Sequence, residues 1–161
     1  MVGETERPIA PSKVLVVEDN PQQLELLLAY MEAIPDVEAI SVTDGAAALD
    51  AVQAEKPDLI LLDLMIPKVS GFEVCRRIKG DPETRDIAIV MVTALSEVGD
   101  IERGVECGTD DFLTKPVNRL ELTTRVRSLL RIRHLKRDLD NTLAYLNTLD
   151  ASNPPPDGAS E

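Results

Sequence analysis

Leu59-Ile60-Leu61-Leu62 runs without a polar break into Asp63, and Pro67 follows shortly after. A continuous aliphatic run of this length is the pattern of a strand buried on both faces, the situation of a central strand in a parallel sheet. Proline has no N–H to give to a ladder, so the strand ends near Asp63. The run therefore delivers a carboxylate to the carboxyl end of a central strand, and open α/β sheets bind ligands at that edge. An Asp that only caps a turn would fit this stretch equally well. The other strand ends decide between the two.

Taken in order, Lys13-Val14-Leu15-Val16-Val17 is a β-branched run that reads as strand one and ends in Glu18-Asp19-Asn20-Pro21. Asn20 followed by Pro21 is a helix start, since proline is tolerated at the first helical position. Leu24, Leu27, Leu28 and Met31 carry helix one to about Ile34. Val37 to Val42 is a weaker strand suited to an edge. Thr43-Asp44-Gly45 is a turn, and Ala46 to Ala54 is helix two. Asp63 closes strand three, and helix three runs from after Val69-Ser70-Gly71 to Lys79. Ile87 to Val92 is strand four, ending at Thr93-Ala94. Helix four, Val98 to Cys107, holds Gly99 and Gly104; each glycine costs about 1 kcal/mol against alanine, which makes this the loosest helix. Strand five, Asp110 to Thr114, leads into Lys115-Pro116, and Asn118 caps a last helix with no stop signal before about Ser152.

Strand and helix alternating five times predict an α/β doubly wound parallel sheet. Right-handed crossovers restrict the strand orders, and 2-1-3-4-5 leaves the weak second strand at an edge with a switch point between strands one and three. The 161 residues suffice for one domain and an appendage. With aromatics at only 2%, the core must be aliphatic. A net charge of −12 argues against broad nucleic-acid binding and adhesion to anionic membranes. No apolar stretch approaches the ~20 residues that span a bilayer. Met1 to Ser12 lacks the apolar segment of a signal peptide, so the expected compartment is the cytoplasm. Cys75 and Cys107 form no CxxC pair and read as free thiols packed as small hydrophobes. His134 is the single histidine and lies in a charged helical segment, where a solvated side chain is expected. No Cys/His metal site can be built around it.

Four strands end in functional groups at one edge: Glu18 and Asp19, Asp63, Thr93, and Lys115. Carboxylates converging there repel one another and shift each other's pKa values. A divalent cation relieves this, and an all-oxygen donor set favours Mg²⁺, which binds few carboxylates and keeps several waters.

Glu18-Asp19, Asp63 with Pro67 and Gly71 after it, Thr93-Ala94, and Phe112-Leu113-Thr114-Lys115-Pro116 resemble the receiver domain of two-component response regulators, the CheY-like family, from about Lys13 to Leu130. The resemblance implies a flavodoxin-like (βα)5 fold and a phosphorylation-dependent signalling switch. It implies that Asp63 accepts a phosphoryl group from a histidine kinase or a histidine phosphotransfer protein. Glu18, Asp19, Asp63 and the backbone carbonyl of Met65 would hold Mg²⁺. Thr93 and Lys115 would contact the phosphoryl group, Phe112 would be the aromatic switch, and the bond before Pro116 would be cis. Such a chain catalyses only its own phosphoryl transfer and slow autodephosphorylation. Met65 and Leu95 hold the positions that tune that decay, and both are apolar. Phe112 has no hydroxyl, so its inward state must rest on burial alone.

Two rival classes share part of the pattern. A phosphohydrolase of the haloacid dehalogenase type wants a second Asp two residues after its nucleophile, where Met65 stands. A flavodoxin wants a hydroxyl- and glycine-rich loop after strand one, where Glu18-Asp19-Asn20 would repel a phosphate.

The expected organisation is a flexible leader at 1–12, the receiver at 13–130, a helical extension at 131–151 and a linker or disordered tail at 152–161. Ile132, Leu135, Leu139, Leu146 and Leu149 fall on a and d positions of an imperfect heptad, with Thr142 at a d position and Leu143 one step off. Arg125, Arg127, Arg131, Arg133, Lys136 and Arg137 flank this stripe, either pairing with the acidic receiver or solvating the helix. A leucine stripe gains most from burial against a second copy. The expected assembly is therefore a parallel homodimer through Ile132 to Leu149, with helix four and strand five as further contributors. The arrangement also resembles receivers joined by a stalk to a downstream output domain.

Overall fold

A computed structural model describes residues 11–94 and 98–152. Leu95, residues 1–10 of the leader and the tail from 153 lie outside the described residues. The elements are β1 (Ser12–Val17), α1 (Pro21–Glu32), β2 (Val37–Val42), α2 (Gly45–Glu55), β3 (Leu59–Leu62), α3 (Gly71–Gly80), β4 (Ala88–Thr93), α4 (Val98–Cys107), β5 (Asp111–Thr114) and α5 (Arg119–Ser152). Every strand pairing is parallel and the order is β2-β1-β3-β4-β5, the doubly wound sheet that the alternation predicts.

Burial explains the register. All of β3 and β4 is buried, whereas β2 is half-buried with Glu38 and Ser41 exposed, as suits an edge strand. Successive residues of a strand point to opposite faces. Val14, Val16, Leu59, Leu61, Val90 and Val92 therefore face one layer, against Leu27 and Met31 of α1 and Leu122 and Val126 of α5. Leu15, Val17, Ile60, Leu62, Ile89 and Met91 face the other, against Val52 of α2 and Val74 and Ile78 of α3.

Local chemistry sets the helix ends. Asn20 Oδ1 accepts the N–H groups of Gln22 and Gln23, both at 3.0 Å, with Pro21 at the first helical position. Helix α1 stops at Glu32 and not at Ile34. The N–H groups of Ala33 and Ile34 turn back to Tyr30 and Met31 in a tightened last turn, because the residue before Pro35 is driven out of the helical region. The Asn118 side chain caps α5, accepting the Glu121 N–H at 3.0 Å.

Helix α5 passes Leu130 without a break and stays tied to the sheet for nearly two more turns. Asp58, at the amino end of β3, is the anchor. Its Oδ1 accepts from Arg133 Nε at 3.1 Å and Arg137 Nη2 at 2.7 Å, while Oδ2 accepts the Lys13 N–H at 2.9 Å. Arg133 also reaches the Asp86 carbonyl at 2.6 Å, Lys136 pairs with the Asp86 carboxylate at 2.7 Å, and Arg125 pairs with Asp111 at 3.1 Å. These four cations pair with the receiver. His134 is half-buried, not solvated, with Nε2 3.0 Å from Ser12 Oγ; β1 begins one residue earlier than expected and brings Ser12 under α5. Cys75 is buried with a thiol pushed up to about 12 by desolvation, and half-buried Cys107 accepts a weak bond from it through its carbonyl. Among the described residues, no helix is long and apolar enough to cross a membrane.

Burial alone would raise the Asp58 pKa, but the Lys13 N–H and the two guanidinium groups outweigh it and hold the carboxyl below its usual range. Asp58→Ala removes three charge-assisted bonds and should destabilise the protein by ~2–3 kcal/mol at neutral pH. A carboxylate with a depressed folded pKa contributes stability that is full above its unfolded pKa and is lost as pH falls through the folded one. The stability gap between wild type and Asp58→Ala should thus hold through neutral pH and narrow below about pH 4. Urea unfolding of both proteins across that range checks it.

Candidate functional site

The parallel register brings the strand ends to one edge. Val17 pairs with Leu62, Leu62 with Met91, and Thr93 with Thr114, so the residues that follow lie side by side. Backbone bonds extend the ladder into the site: Asp63 N–H donates to the Val17 carbonyl at 3.1 Å and Lys115 N–H to the Thr93 carbonyl at 2.8 Å. Glu18, Asp19 and Asp63 each offer a carboxylate oxygen within 4.8 Å of the others. Glu18 is only 1% exposed, Asp63 is buried, and Asp19 stands at the open rim.

Lys115 reaches across this group. Its ammonium donates to Glu18 Oε1 at 2.5 Å and to Asp63 Oδ2 at 3.0 Å. Glu18 Oε2 accepts the Asn20 N–H at 3.2 Å, and Asp63 Oδ1 accepts the Met65 N–H at 3.0 Å. Burial pushes the Glu18 carboxyl upward against the pull of Lys115 and Asn20, and the Asp63 charge adds to the rise. Burial works to lower the Lys115 pKa, but its bonds to Glu18 and Asp63 prevail, so the ammonium is held charged well into the alkaline range. The Lys115–Pro116 bond is cis.

The remaining candidates sit around this cluster. Thr93 is buried at the end of β4, one strand from Asp63. Met65 binds Asp63 through its backbone, while its side chain is 66% exposed over the rim. Phe112 lies on β5, half-buried, with its ring 3.4 Å from where a Cβ on Gly104 would stand. Its ring packs against the buried layer that holds Ile89 and Met91, and its N–H donates to Asp111 Oδ1 at 2.8 Å. Arg103 of α4 stacks 3.9 Å over the Phe72 ring of α3, which ties the two helices together. Two glycines prove to stand against backbone at or beside the site: Gly71, one of the residues that carry the receiver resemblance, and Gly45, which the sequence marks only as part of a turn. A Cβ on Gly71 would stand 2.3 Å from the Asp63 carbonyl oxygen, and one on Gly45 would stand 1.9 Å from the Val69 carbonyl oxygen. For Gly45 the sequence signal is a glycine at the first position of a helix, where better helix formers are available.

Three carboxylates, one backbone loop and all-oxygen chemistry fit a hard divalent cation of the Mg²⁺ type. A single ammonium facing Asp63 fits an incoming group rich in anionic oxygen.

Comparison with known proteins agrees. The family described as the response regulator receiver domain matches residues 14–127. Response regulator PleD of Caulobacter vibrioides is 44% identical over 122 residues, which cover 76% of this chain and 27% of PleD. The DNA-binding dual master transcriptional regulator RpaA of Synechocystis sp. is 40% identical over 119 residues, covering 74% of this chain and 49% of RpaA. The chain thus spans less than half the length of these relatives. Among solved structures, the signal receiver domain of a signal transduction histidine kinase from Syntrophus aciditrophicus shares 37% identity at a TM-score of 0.70, covering 74% of this chain and 90% of its own. The receiver domain of sensor histidine kinase PA1611 from Pseudomonas aeruginosa PAO1, described with a magnesium ion coordinated in its active site cleft, shares 29% identity at a TM-score of 0.69 over 75% of this chain and 98% of that one. The matched segment contains the whole sheet from Val14 onward and every strand-end group of the site, and the chain belongs to the response regulator receiver domain family.

Proposed function

We propose that this receiver takes a phosphoryl group onto Asp63 from a histidine kinase or a histidine phosphotransfer protein and relays the event through its α4–β5–α5 face. The observation that carries this is the Lys115 ammonium lying on both Glu18 and Asp63 beside Asp19. Glu18, Asp19, Asp63 and the Met65 carbonyl are the residues that would hold Mg²⁺. When bound, the ion supplies the charge neutralisation on which phosphoryl transfer depends.

An Asp63 oxygen attacks phosphorus, and the new O–P bond forms as the P–N bond to the donor histidine breaks, leaving an acyl phosphate. Lys115 keeps its charge through the step and pairs with a phosphoryl oxygen in place of the carboxylate it held. The Thr93 hydroxyl donates to another phosphoryl oxygen and draws the loop after β4 toward it. Phe112 then turns toward the space Thr93 has left, so one local charge event biases a two-state face. The rival classes lose their key residues here: Met65 stands where a phosphohydrolase needs its second Asp, and the loop after β1 presents buried Glu18 where a flavin phosphate would lie.

Output proceeds through the α5 extension. Ile132, Leu135, Leu139, Leu146 and Leu149 are each at least 44% exposed, on a helix whose inner face is already committed to the sheet. A second copy of the same stripe is the partner that buries them in register, as a parallel homodimer. The receiver is also suited to driving a downstream output domain from the stalk.

Incubation with acetyl phosphate and Mg²⁺ should add one phosphoryl group by intact mass to the wild type and none to Asp63→Asn; a phosphorylated Asp63→Asn would refute the acceptor. Asp19→Ala should abolish the metal dependence of the rate. Because Met65 and Leu95 cannot orient a water, the acyl phosphate should be long-lived, and Met65→Asn and Leu95→Glu should each speed its loss, followed by the decay of the mass-shifted species. Light scattering should give a dimer for the full chain and a monomer both for Leu139→Glu/Leu146→Glu and for a chain ended after Arg137. A monomeric wild type with and without a phosphoryl mimic would remove the stalk from the account.

A further inference from the structure

The loop that carries Met65 is seated on the first residue of α2. Gly45 donates its N–H to the Pro67 carbonyl at 3.1 Å. A Cβ on Gly45 would stand 1.9 Å from the Val69 carbonyl oxygen and 2.7 Å from its carbon. Both are backbone atoms, so no rotamer change relieves the clash. Gly45 is not among the residues with positive φ, so the position demands closeness and not a special backbone conformation. The loop is constrained elsewhere too. Lys68 is held at φ 72, a value non-glycine residues rarely adopt, with its ammonium 3.4 Å from Asp44, the cap of α2. Gly71 N–H donates to the Leu64 carbonyl at 3.1 Å from the other side.

Helix α2 does not yield easily. Asp44 Oδ1 caps it at 2.7 Å to the Ala47 N–H, and Ala48 and Val52 are buried in the sheet layer. The link from Val69 back to Met65 is short and stiff, since Pro67 fixes one torsion and Ile66 is buried in the same layer. A displacement at Val69 is therefore passed to Met65.

We infer that Gly45 is a positioning residue for the phosphorylation site: its missing side chain lets α2 set the height of the 65–69 loop and so the place of the Met65 carbonyl beside Asp63. The inference rests on the proposed role of that carbonyl as a metal ligand. It assigns Gly45 a function that the turn pattern Thr43-Asp44-Gly45 does not suggest.

Calorimetric titration of Mg²⁺ into the unphosphorylated full chain tests it without reference to phosphoryl transfer. Gly45→Ala should weaken Mg²⁺ binding about tenfold, the scale seen when groups that orient a metal ligand are altered. Gly80→Ala, whose added Cβ meets nothing within 4 Å, should leave it unchanged. Thermal melting in chelator separates a structural role: a lowered melting temperature with unchanged Mg²⁺ affinity overturns the inference. If Gly45→Ala does not fold, Val69→Ala decides, because it loosens the same loop without changing charge. Weaker Mg²⁺ binding in Val69→Ala supports the positioning role, and unchanged binding overturns it. A wild type that takes up no Mg²⁺ overturns the metal reading itself and this inference with it, whereas normal wild-type binding with indifferent variants overturns the positioning role alone.

Discussion

The crowding of Glu18, Asp19 and Asp63 at one end of a parallel sheet is the constraint around which the molecule is arranged. Burial, together with the neighbouring Asp63 charge, raises the Glu18 carboxyl, and a cation among the three groups relieves that strain. Lys115 supplies one charge from the far side of the sheet, across the end of β4. That reach depends on β5 being the neighbour of β4 and on the ladder bond from Lys115 N–H to Thr93. Electrostatics at the edge and packing of the sheet are therefore the same problem. The fully buried strands β3 and β4 deliver Asp63 and Thr93 to neighbouring positions at that edge.

The opposite edge of the sheet solves a different electrostatic problem. Asp58 is only 7% exposed, yet it accepts from three donors on two segments of chain, β1 and α5. This anchor extends the receiver's hold on α5 past the last core residue, Leu130, as far as Arg137. The extension thus leaves the receiver in a direction set by ion pairs, with its leucines turned outward. One rod carries both the core residues Leu122 and Val126 and the exposed stripe, so a shift of α5 on the sheet is a shift of the stripe.

Much of this was legible from residue order. The apolar run into Asp63, the alternation of elements and the weak second strand were enough to give the sheet and its strand order, because burial on two faces leaves an unmistakable pattern. Most strand-end groups were legible in a similar way: Asn20-Pro21, Pro67 and Pro116 mark the ends of strands one, three and five, while Thr93 is marked only by the end of its apolar run. Contacts made by absence were not. Gly45 looks like an ordinary turn glycine and Gly71 carries only a motif match, and the 1.9 Å and 2.3 Å approaches show what they admit. Asp58 carries no such signal, since a carboxylate before an apolar strand is unremarkable until Arg133 and Arg137 come back from 75 and 79 residues away. The charged surroundings of His134 in the sequence point to solvent, whereas one extra residue of β1 puts Ser12 beneath it. In each case the deciding partner is distant in the chain and carries no local periodic signal.

The central claim is that the strand-end cluster is one divalent-cation and phosphoryl site built around Asp63. Anomalous diffraction from a crystal soaked in Mn²⁺, a spectroscopic stand-in for Mg²⁺, tests this most directly. The account predicts a single strong peak within ligation distance of Glu18 or Asp19, of Asp63, and of the Met65 carbonyl, with Lys115 swung off Glu18. A cluster that stays free of metal while Lys115 remains bridging Glu18 and Asp63, or a peak that lies away from Asp63, would contradict it.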